Sequence, residues 1–172
     1  MSGDLNERIE ESQGKIERLI SGIPGYKGYK QKEQRREADK LLRLHIARQF
    51  DEQLLRMNAI TRKLSYRGKL SDITMADRAA NKLQLLIDRI KNASMGYSGL
   101  FDAIKVREEE LDKLYNFDLA MLDGVSRVAE LIDQIEQHYA SELPIAEPVD
   151  LLIAELEAQN ATFSTRQDVI LA

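Results

Sequence analysis

Apolar residues recur three or four positions apart along most of this 172-residue chain. That spacing places them on one face of an α-helix, and no segment shows the alternation of apolar and polar residues that is typical of a strand. We therefore predict an all-α fold, an elongated antiparallel helical bundle in a single domain of residues 1–172. The predicted helices cover residues 4–21, 31–67, 74–95, 100–141 and 148–160, and residues 161–172 form a tail without an assignment.

The fourth predicted helix carries the most regular apolar stripe in the chain. Its positions alternate three and four apart, which is the heptad pattern of a coiled-coil seam. The seam either fills the core of the bundle or pairs two chains. Gly124 is expected on the exposed side of this helix, and Asp118, within the seam, is expected to set the register or to pair with a basic residue. The seam consists of Leu111, Leu114, Asp118, Met121, Val125, Val128, Ile132, Ile135 and Tyr139.

Helix boundaries are predicted from capping and breaking residues. The second helix ends at Gly68, and the spacing Thr74-x-x-Asp77 predicts the start of the third helix. Pro148 is expected at the first position of the fifth helix, where a missing N–H group needs no partner. The stripe of the fifth helix fades by Asn160, so we expect this helix to end there.

The helix lengths favour a staggered rod. At about 1.5 Å of rise per residue, the second and fourth helices span about 55 and 60 Å, whereas the third spans about 33 Å. Short turns make these three helices run up, down and up, so the two long ones overhang the third at opposite ends. The first and fifth helices then fold back to cover the overhangs. A compact four-helix bundle is the competing geometry, and we expect it to require a break in a long helix.

The net charge of −4 conceals a difference between the two parts of the chain. Residues 1–100 contain 20 basic and 13 acidic residues, and residues 101–172 contain 5 basic and 16 acidic residues. Either the two parts lie side by side and neutralise each other, or they form a basic tip and an acidic tip that pair between molecules. The second arrangement predicts a homo-oligomer, and an antiparallel two-fold dimer is favoured because it closes.

Composition and motifs offer little catalytic chemistry. The chain has no Cys, which excludes disulfides, thiolate zinc sites and cysteine nucleophiles. Its two histidines, His45 and His138, lack the Glu-x-x-His spacing of di-iron bundles, and we expect them in or beside the core rather than as a pair. No HExxH, Walker or GxSxG motif is present. We expect no metal, no cofactor and no enzymatic activity, and the absence of a signal peptide and of an apolar span predicts a cytoplasmic location.

An unusual loop lies between the first two helices. Residues 22–36, GIPGYKGYKQKEQRR, combine three glycines, a proline, two tyrosines and five basic residues. We predict a binding surface here, for a protein partner or, through base stacking and charge, for nucleic acid or membrane phosphate. The alternative is structural, with the tyrosines closing the tip of the bundle. The predicted site residues are Tyr26, Lys27, Tyr29, Lys30, Lys32, Arg35 and Arg36, with Gly25 and Gly28 as turn glycines.

Part of this loop carries a family resemblance. The stretch IPGYKGYKQKEQRREADKLLR, over residues 23–43, resembles a segment of an uncharacterised bacterial all-helical family with no known activity. The order of a basic helical half and an acidic helical half is similar to that of the membrane-remodelling phage-shock proteins. This chain is shorter and shows no N-terminal amphipathic anchor of their kind.

These features favour a non-enzymatic helical interaction or assembly protein that binds a protein partner, or a second copy of itself, through the basic loop. The first alternative is a binder of anionic ligands that uses the same loop, and the second is a membrane-associated stress-type assembly protein. A net acidic chain with one small basic patch predicts weak nucleic-acid binding with a strong dependence on salt. No small-molecule substrate is implied.

Overall fold

The computed structural model describes residues 32–93 and 108–171, with side chains for residues 41–93 and for residues 117–165 apart from 119. Four helices account for nearly all of these residues, and the described ranges contain no strand, which confirms the all-α prediction for them. The predicted helix over residues 4–21 lies outside the described residues. The four helices are α1 (Lys32–Arg67), α2 (Leu70–Asn92), α3 (Glu108–Ala140) and α4 (Ala146–Leu171).

The helices form two hairpins that lie side by side. α1 pairs with α2, α3 pairs with α4, and the hairpins meet where α1 packs on α3 and α2 packs on α4. Arg56 of α1 binds Glu136 of α3, and Tyr139, further along α3, donates a hydrogen bond to the main-chain oxygen of Lys63, further along α1. α1 and α3 therefore run in the same direction, and the turns of both hairpins lie at the same end of a four-helix bundle.

This bundle differs from the predicted staggered rod. Tyr139, near the end of α3, contacts Lys63 and Arg67, near the end of α1, so α3 does not overhang at this end. Both long helices are unbroken over the ranges described, and the expectation that a compact bundle requires a break is wrong. The reason is α4, whose 26 residues give it a length of about 39 Å, enough to fill the fourth corner beside α2.

Apolar side chains from all four helices fill the interior. The largest fully buried ones include Phe50 of α1 and Phe163 of α4, each at most 1% exposed. The described part of the heptad seam is buried from Met121 to Ile135, so this part of the seam packs inside the chain. Burial of each such side chain stabilises the fold by about 1.5–3 kcal/mol relative to exposure.

The start of α2 differs from the predicted cap at Thr74. The helix begins at Leu70, because the connection to α1 consists of only Gly68 and Lys69. Thr74 lies inside the helix, and its hydroxyl donates to the main-chain oxygen of Leu70 at 2.9 Å instead of accepting a capping bond. The Thr74-x-x-Asp77 spacing is therefore an interior feature of α2.

The last helix is longer at both ends than predicted. It begins at Ala146, so Pro148 stands at the third position, still within the first turn, where its missing N–H group is tolerated. It continues past Asn160 to Leu171 because Phe163 is buried and because Arg89 of α2 binds this segment. The guanidinium of Arg89 donates to the main-chain oxygen and Oδ1 of Asn160, at 3.0 and 2.8 Å, and to Ser164 Oγ at 2.6 Å.

Gly124 is buried between α3 and α4, which contradicts its predicted place on the exposed side of the helix. A Cβ atom at this position would overlap the amide group of Gln159 on α4. Gln159 is 2% exposed, and its Nε2 donates to Glu155 at 2.6 Å. The glycine therefore makes room for a buried amide from the neighbouring helix.

Replacement of Gly124 tests this close approach. Gly124→Ala removes a helix-weakening glycine, which by itself stabilises a helix by about 0.5–1 kcal/mol. We expect this gain only in a Gln159→Ala background, and a smaller gain or a loss when Gln159 is present. Urea denaturation of the wild type, both single variants and the double variant measures the coupling. An equal effect of Gly124→Ala in both backgrounds would contradict the proposed overlap.

Candidate functional site

Most of the predicted loop site lies outside the described residues, namely Tyr26, Lys27, Tyr29 and Lys30 with the turn glycines Gly25 and Gly28. The other three predicted residues, Lys32, Arg35 and Arg36, belong to the first turns of α1. Their spacing of three and four places these positions on one face of the helix.

This start of α1 lies far from the hairpin turns. The 36 residues of α1 give a helix of about 54 Å, and the turn to α2 follows its last residue, Arg67. A helix N-terminus also carries a partial positive charge from its unpaired N–H groups. Three basic positions therefore coincide with the positive end of a long helix dipole.

The two histidines do not meet. His45 Nε2 lies 3.2 Å from Gln49 Nε2 on α1, and His138 Nδ1 lies 2.7 Å from the main-chain oxygen of Pro144. His138 is next to Tyr139, which contacts Lys63, and His45 is 18 residues before Lys63, about 27 Å along α1. The described residues also contain no group of three or more His, Cys, Asp or Glu side chains arranged to hold a metal ion.

Among the residues whose side chains are described, charge is divided between the two hairpins. Residues 41–93 of the first hairpin contain eleven Lys and Arg and five Asp and Glu, whereas residues 117–165 of the second contain one and ten. Because the hairpins are adjacent, basic and acidic surfaces lie side by side over the described residues. This arrangement corresponds to the alternative of neutralisation within one molecule. The predicted basic tip lies largely outside the residues whose side chains are described.

Arg56 of α1 forms one of the contacts that neutralise charge between the hairpins. Its Nη2 donates to Glu136 at 2.8 Å and also binds Asp133, and its Nη1 donates to Gln53 at 3.0 Å. Partial burial by itself lowers the pKa of Arg56, but the hydrogen bonds and charges of Glu136 and Asp133 raise it overall. The guanidinium therefore remains charged and connects α1 to α3.

Lys82 of α2 forms a second such contact, with Glu157 of α4. Lys82 Nζ lies 2.7 Å from Glu157 Oε1, and its hydrogen bond and charge lower the pKa of Glu157 below the ordinary value of 4.5. The native carboxyl group thus binds a proton more weakly than the unfolded one. The pair stabilises the fold above the unfolded pKa, and this contribution is lost as the pH falls through the lowered native pKa.

Lys82→Met tests the pH dependence of this pair. We expect the variant to be less stable than the wild type at about pH 6, and the difference to shrink as the pH falls toward about 3 and Glu157 binds a proton. Urea denaturation at both pH values measures the difference in stability. Glu157→Gln serves as a matched control, because it removes the titrating carboxyl group of the same pair. A difference in stability that is the same at both pH values would contradict a role for Glu157 ionisation.

The second surface of interest is the end of the bundle where both turns lie, residues 62–70 and 138–150, which we call the turn end. The guanidinium of Arg67 lies 3.7 Å from the ring centroid of Tyr139, a cation–π contact between the two hairpins. The hydroxyl group of Tyr139 donates to the main-chain oxygen of Lys63 at 3.3 Å. These contacts hold the two turns next to each other.

Each of the two turns contains a residue in the left-handed backbone conformation shortly after its helix, but the residue differs. Gly68, after α1, has φ of 68°, and Glu142, after α3, has φ of 59°. The N–H groups of Glu142 and Leu143 bind the main-chain oxygens of Tyr139 and His138, at 3.3 and 2.9 Å, which is a Schellman motif. Glycine is the usual residue at this left-handed position, so Glu142 introduces strain that Gly68 avoids.

Glu142→Gly is therefore expected to stabilise the protein. Glycine relieves the strain of the left-handed conformation, but it also increases the conformational entropy of the unfolded chain. The net gain in the free energy of unfolding is about 0.5–1 kcal/mol. Thermal or urea denaturation measures it. Glu142→Ala removes the same charge but keeps Cβ, so it should show no such gain, and equal stabilisation by both variants would mean that charge rather than backbone strain is responsible.

The turn end also exposes large apolar side chains. Tyr66 is 89% exposed, Leu70 is 74% exposed and Leu143 is 53% exposed. Sequence reasoning used Gly68 only as a helix stop and missed this surface. The signal was present in RKLSYRGKL, residues 62–70, which combines Tyr, Gly and four basic residues much as the predicted loop does.

Comparison with known proteins adds no family assignment: no family model matches the chain, and no similar curated protein or solved structure was found. Within the described ranges, none of the helices combines the length and the apolar character needed to cross a membrane.

Proposed function

We propose that the protein is a non-enzymatic helical interaction or assembly protein that binds an acidic surface of a protein partner through residues 22–36. The observation that supports this proposal most directly is the position of α1. The helix begins at Lys32, immediately after the Tyr- and Lys-rich loop, and Arg35 and Arg36 follow within its first two turns. The positions of Lys32, Arg35 and Arg36 thus coincide with the positive end of the helix dipole, directly after the loop in the sequence.

The rest of the described structure suits a scaffold that presents this end. Its interior is filled by apolar side chains, and the polar groups at the hairpin interface, such as Arg56 and Arg89, are engaged by residues of the other hairpin. A well-packed bundle of this kind suits a scaffold that carries a binding segment at the start of a long helix.

A second copy of the chain is an alternative acidic partner, because its second hairpin offers an acidic surface. Charge also favours a partner over a membrane or nucleic acid: the chain is net acidic, and ten acidic residues lie on the hairpin next to α1 and α2. A long polyanion that tracks beyond the basic end would meet this acidic hairpin, whereas a compact acidic protein surface need not.

Charge reversal in the loop tests the proposal. Lys27→Glu combined with Lys30→Glu should leave the helical content and melting temperature unchanged and weaken binding at least tenfold, which corresponds to about 1.4 kcal/mol. The probes are a fluorescent polyglutamate peptide, a single-stranded RNA of similar length and vesicles containing phosphatidylglycerol, each titrated at low and physiological salt.

The matched control is Arg48→Glu with Arg78→Glu, which makes the same change in net charge at exposed positions of α1 and α2 away from the loop. We expect peptide binding to be lost only in the loop variant. If both double variants bind the peptide as well as the wild type does, the loop is a structural plug and the proposal fails. Tight, salt-resistant binding of RNA or vesicles would replace it with the anionic-ligand alternative.

A further inference from the structure

The turn end combines exposed apolar side chains with charges of both signs. Tyr66, Leu70 and Leu143 are exposed there, whereas the other large exposed apolar residues occur singly along α1, α2 and α4, at Leu44, Leu55, Leu85 and Leu151. Large apolar side chains grouped at one end of a small bundle are a common mark of an interaction surface.

The two turns carry opposite charges. The first contributes Arg62, Lys63 and Lys69, and the second contributes Glu142, Glu147 and Asp150. Lys69 pairs with Asp72 of its own hairpin at 3.4 Å, and the other five side chains make no ion pair within the described ranges. The charges of the two turns are therefore available to a partner.

We propose that the turn end is a self-association surface on which the turn end of a second copy packs. A membrane surface or a nucleic acid is uniformly negative and would be repelled by the acidic turn, whereas the turn end itself offers both signs. A two-fold axis across the end of the bundle places each basic turn on the acidic turn of the other copy, twice, with Tyr66, Leu70 and Leu143 between them. Such an isologous contact closes as a dimer.

The size of the surface predicts a weak dimer. The four helices form a two-by-two array, so the end of the bundle is about 20 Å wide along each side. Its area is therefore about 400 Å² per copy. A stable interface buries about 800 Å² per partner. We therefore expect a short-lived dimer with a dissociation constant of about 0.1 mM, weakened by salt. This inference does not rest on the proposed function, because it involves the opposite end of α1 from the basic loop.

Complementary charge reversal tests the proposal. One variant carries Arg62→Glu, Lys63→Glu and Lys69→Glu, so both of its turns have a net negative charge. The other carries Glu142→Lys, Glu147→Lys and Asp150→Lys, so both of its turns have a net positive charge. Each variant alone should be monomeric in sedimentation experiments up to about 1 mM protein at low salt, whereas the wild type forms a dimer. An equimolar mixture of the two variants should form a heterodimer at least as tight as the wild-type dimer, because both contacts are then attractive.

Several outcomes would overturn the proposal. The proposal fails if the wild type stays monomeric at low salt and about 1 mM protein. It also fails if either charge-reversed variant alone dimerises like the wild type, or if the mixture of the two does not associate. Circular dichroism and thermal melting of each variant show whether the fold is kept. Leu70→Ser gives an independent readout that alters no charge and should weaken the wild-type dimer at least tenfold, while the matched Leu85→Ser, at a half-exposed position on the same helix, should not.

Discussion

The structure depends on the burial of apolar stripes that neither hairpin can cover alone. A pair of helices leaves one side of its apolar surface in water, so a stable domain needs a second layer. Here Phe50 of α1, the seam from Met121 to Ile135 and Phe163 of α4 belong to one buried apolar cluster. This need explains why α4 continues past Asn160: the segment beyond it supplies Phe163, which is buried in the core.

Apolar burial is not directional, so polar contacts at the interface select the alignment of the two hairpins. Arg56 meets Glu136 between α1 and α3, and Arg89 meets Asn160 and Ser164 between α2 and α4. A shift of either hairpin by one helical turn, about 5.4 Å, would break these contacts while leaving apolar surface against apolar surface. Within the second hairpin, Gly124 adds a separate steric requirement, because a Cβ atom at this position of α3 would overlap the amide of Gln159 on α4.

The sequence allowed prediction of features that depend on local periodicity. The all-α class and the extent of α1 come from stripes that any packing must bury, and Gly68 ends α1 because of its own backbone freedom. The features that could not be predicted depend on neighbours far away in the chain. In the sequence, Asn160 and Ser164 resemble the polar end of a helix, because their partner Arg89 is about 70 residues earlier in the chain. In the same way, the sequence does not show that the space left by Gly124 is occupied by Gln159.

The same reasoning separates the two candidate surfaces. The loop at residues 22–36 is a candidate binding surface because of its composition alone, since Gly, Tyr and Lys in one short segment suit a binding loop in any fold. The turn end becomes a candidate only when the bundle brings Lys63 and Arg67 to Tyr139, because a basic turn and an acidic turn far apart in the chain then form one surface of mixed charge. A staggered rod would have separated these turns, and neither turn alone is self-complementary. The parallel alignment of α1 with α3, which buries the core, is therefore also what gives this end of the protein a surface that can recognise another copy of itself.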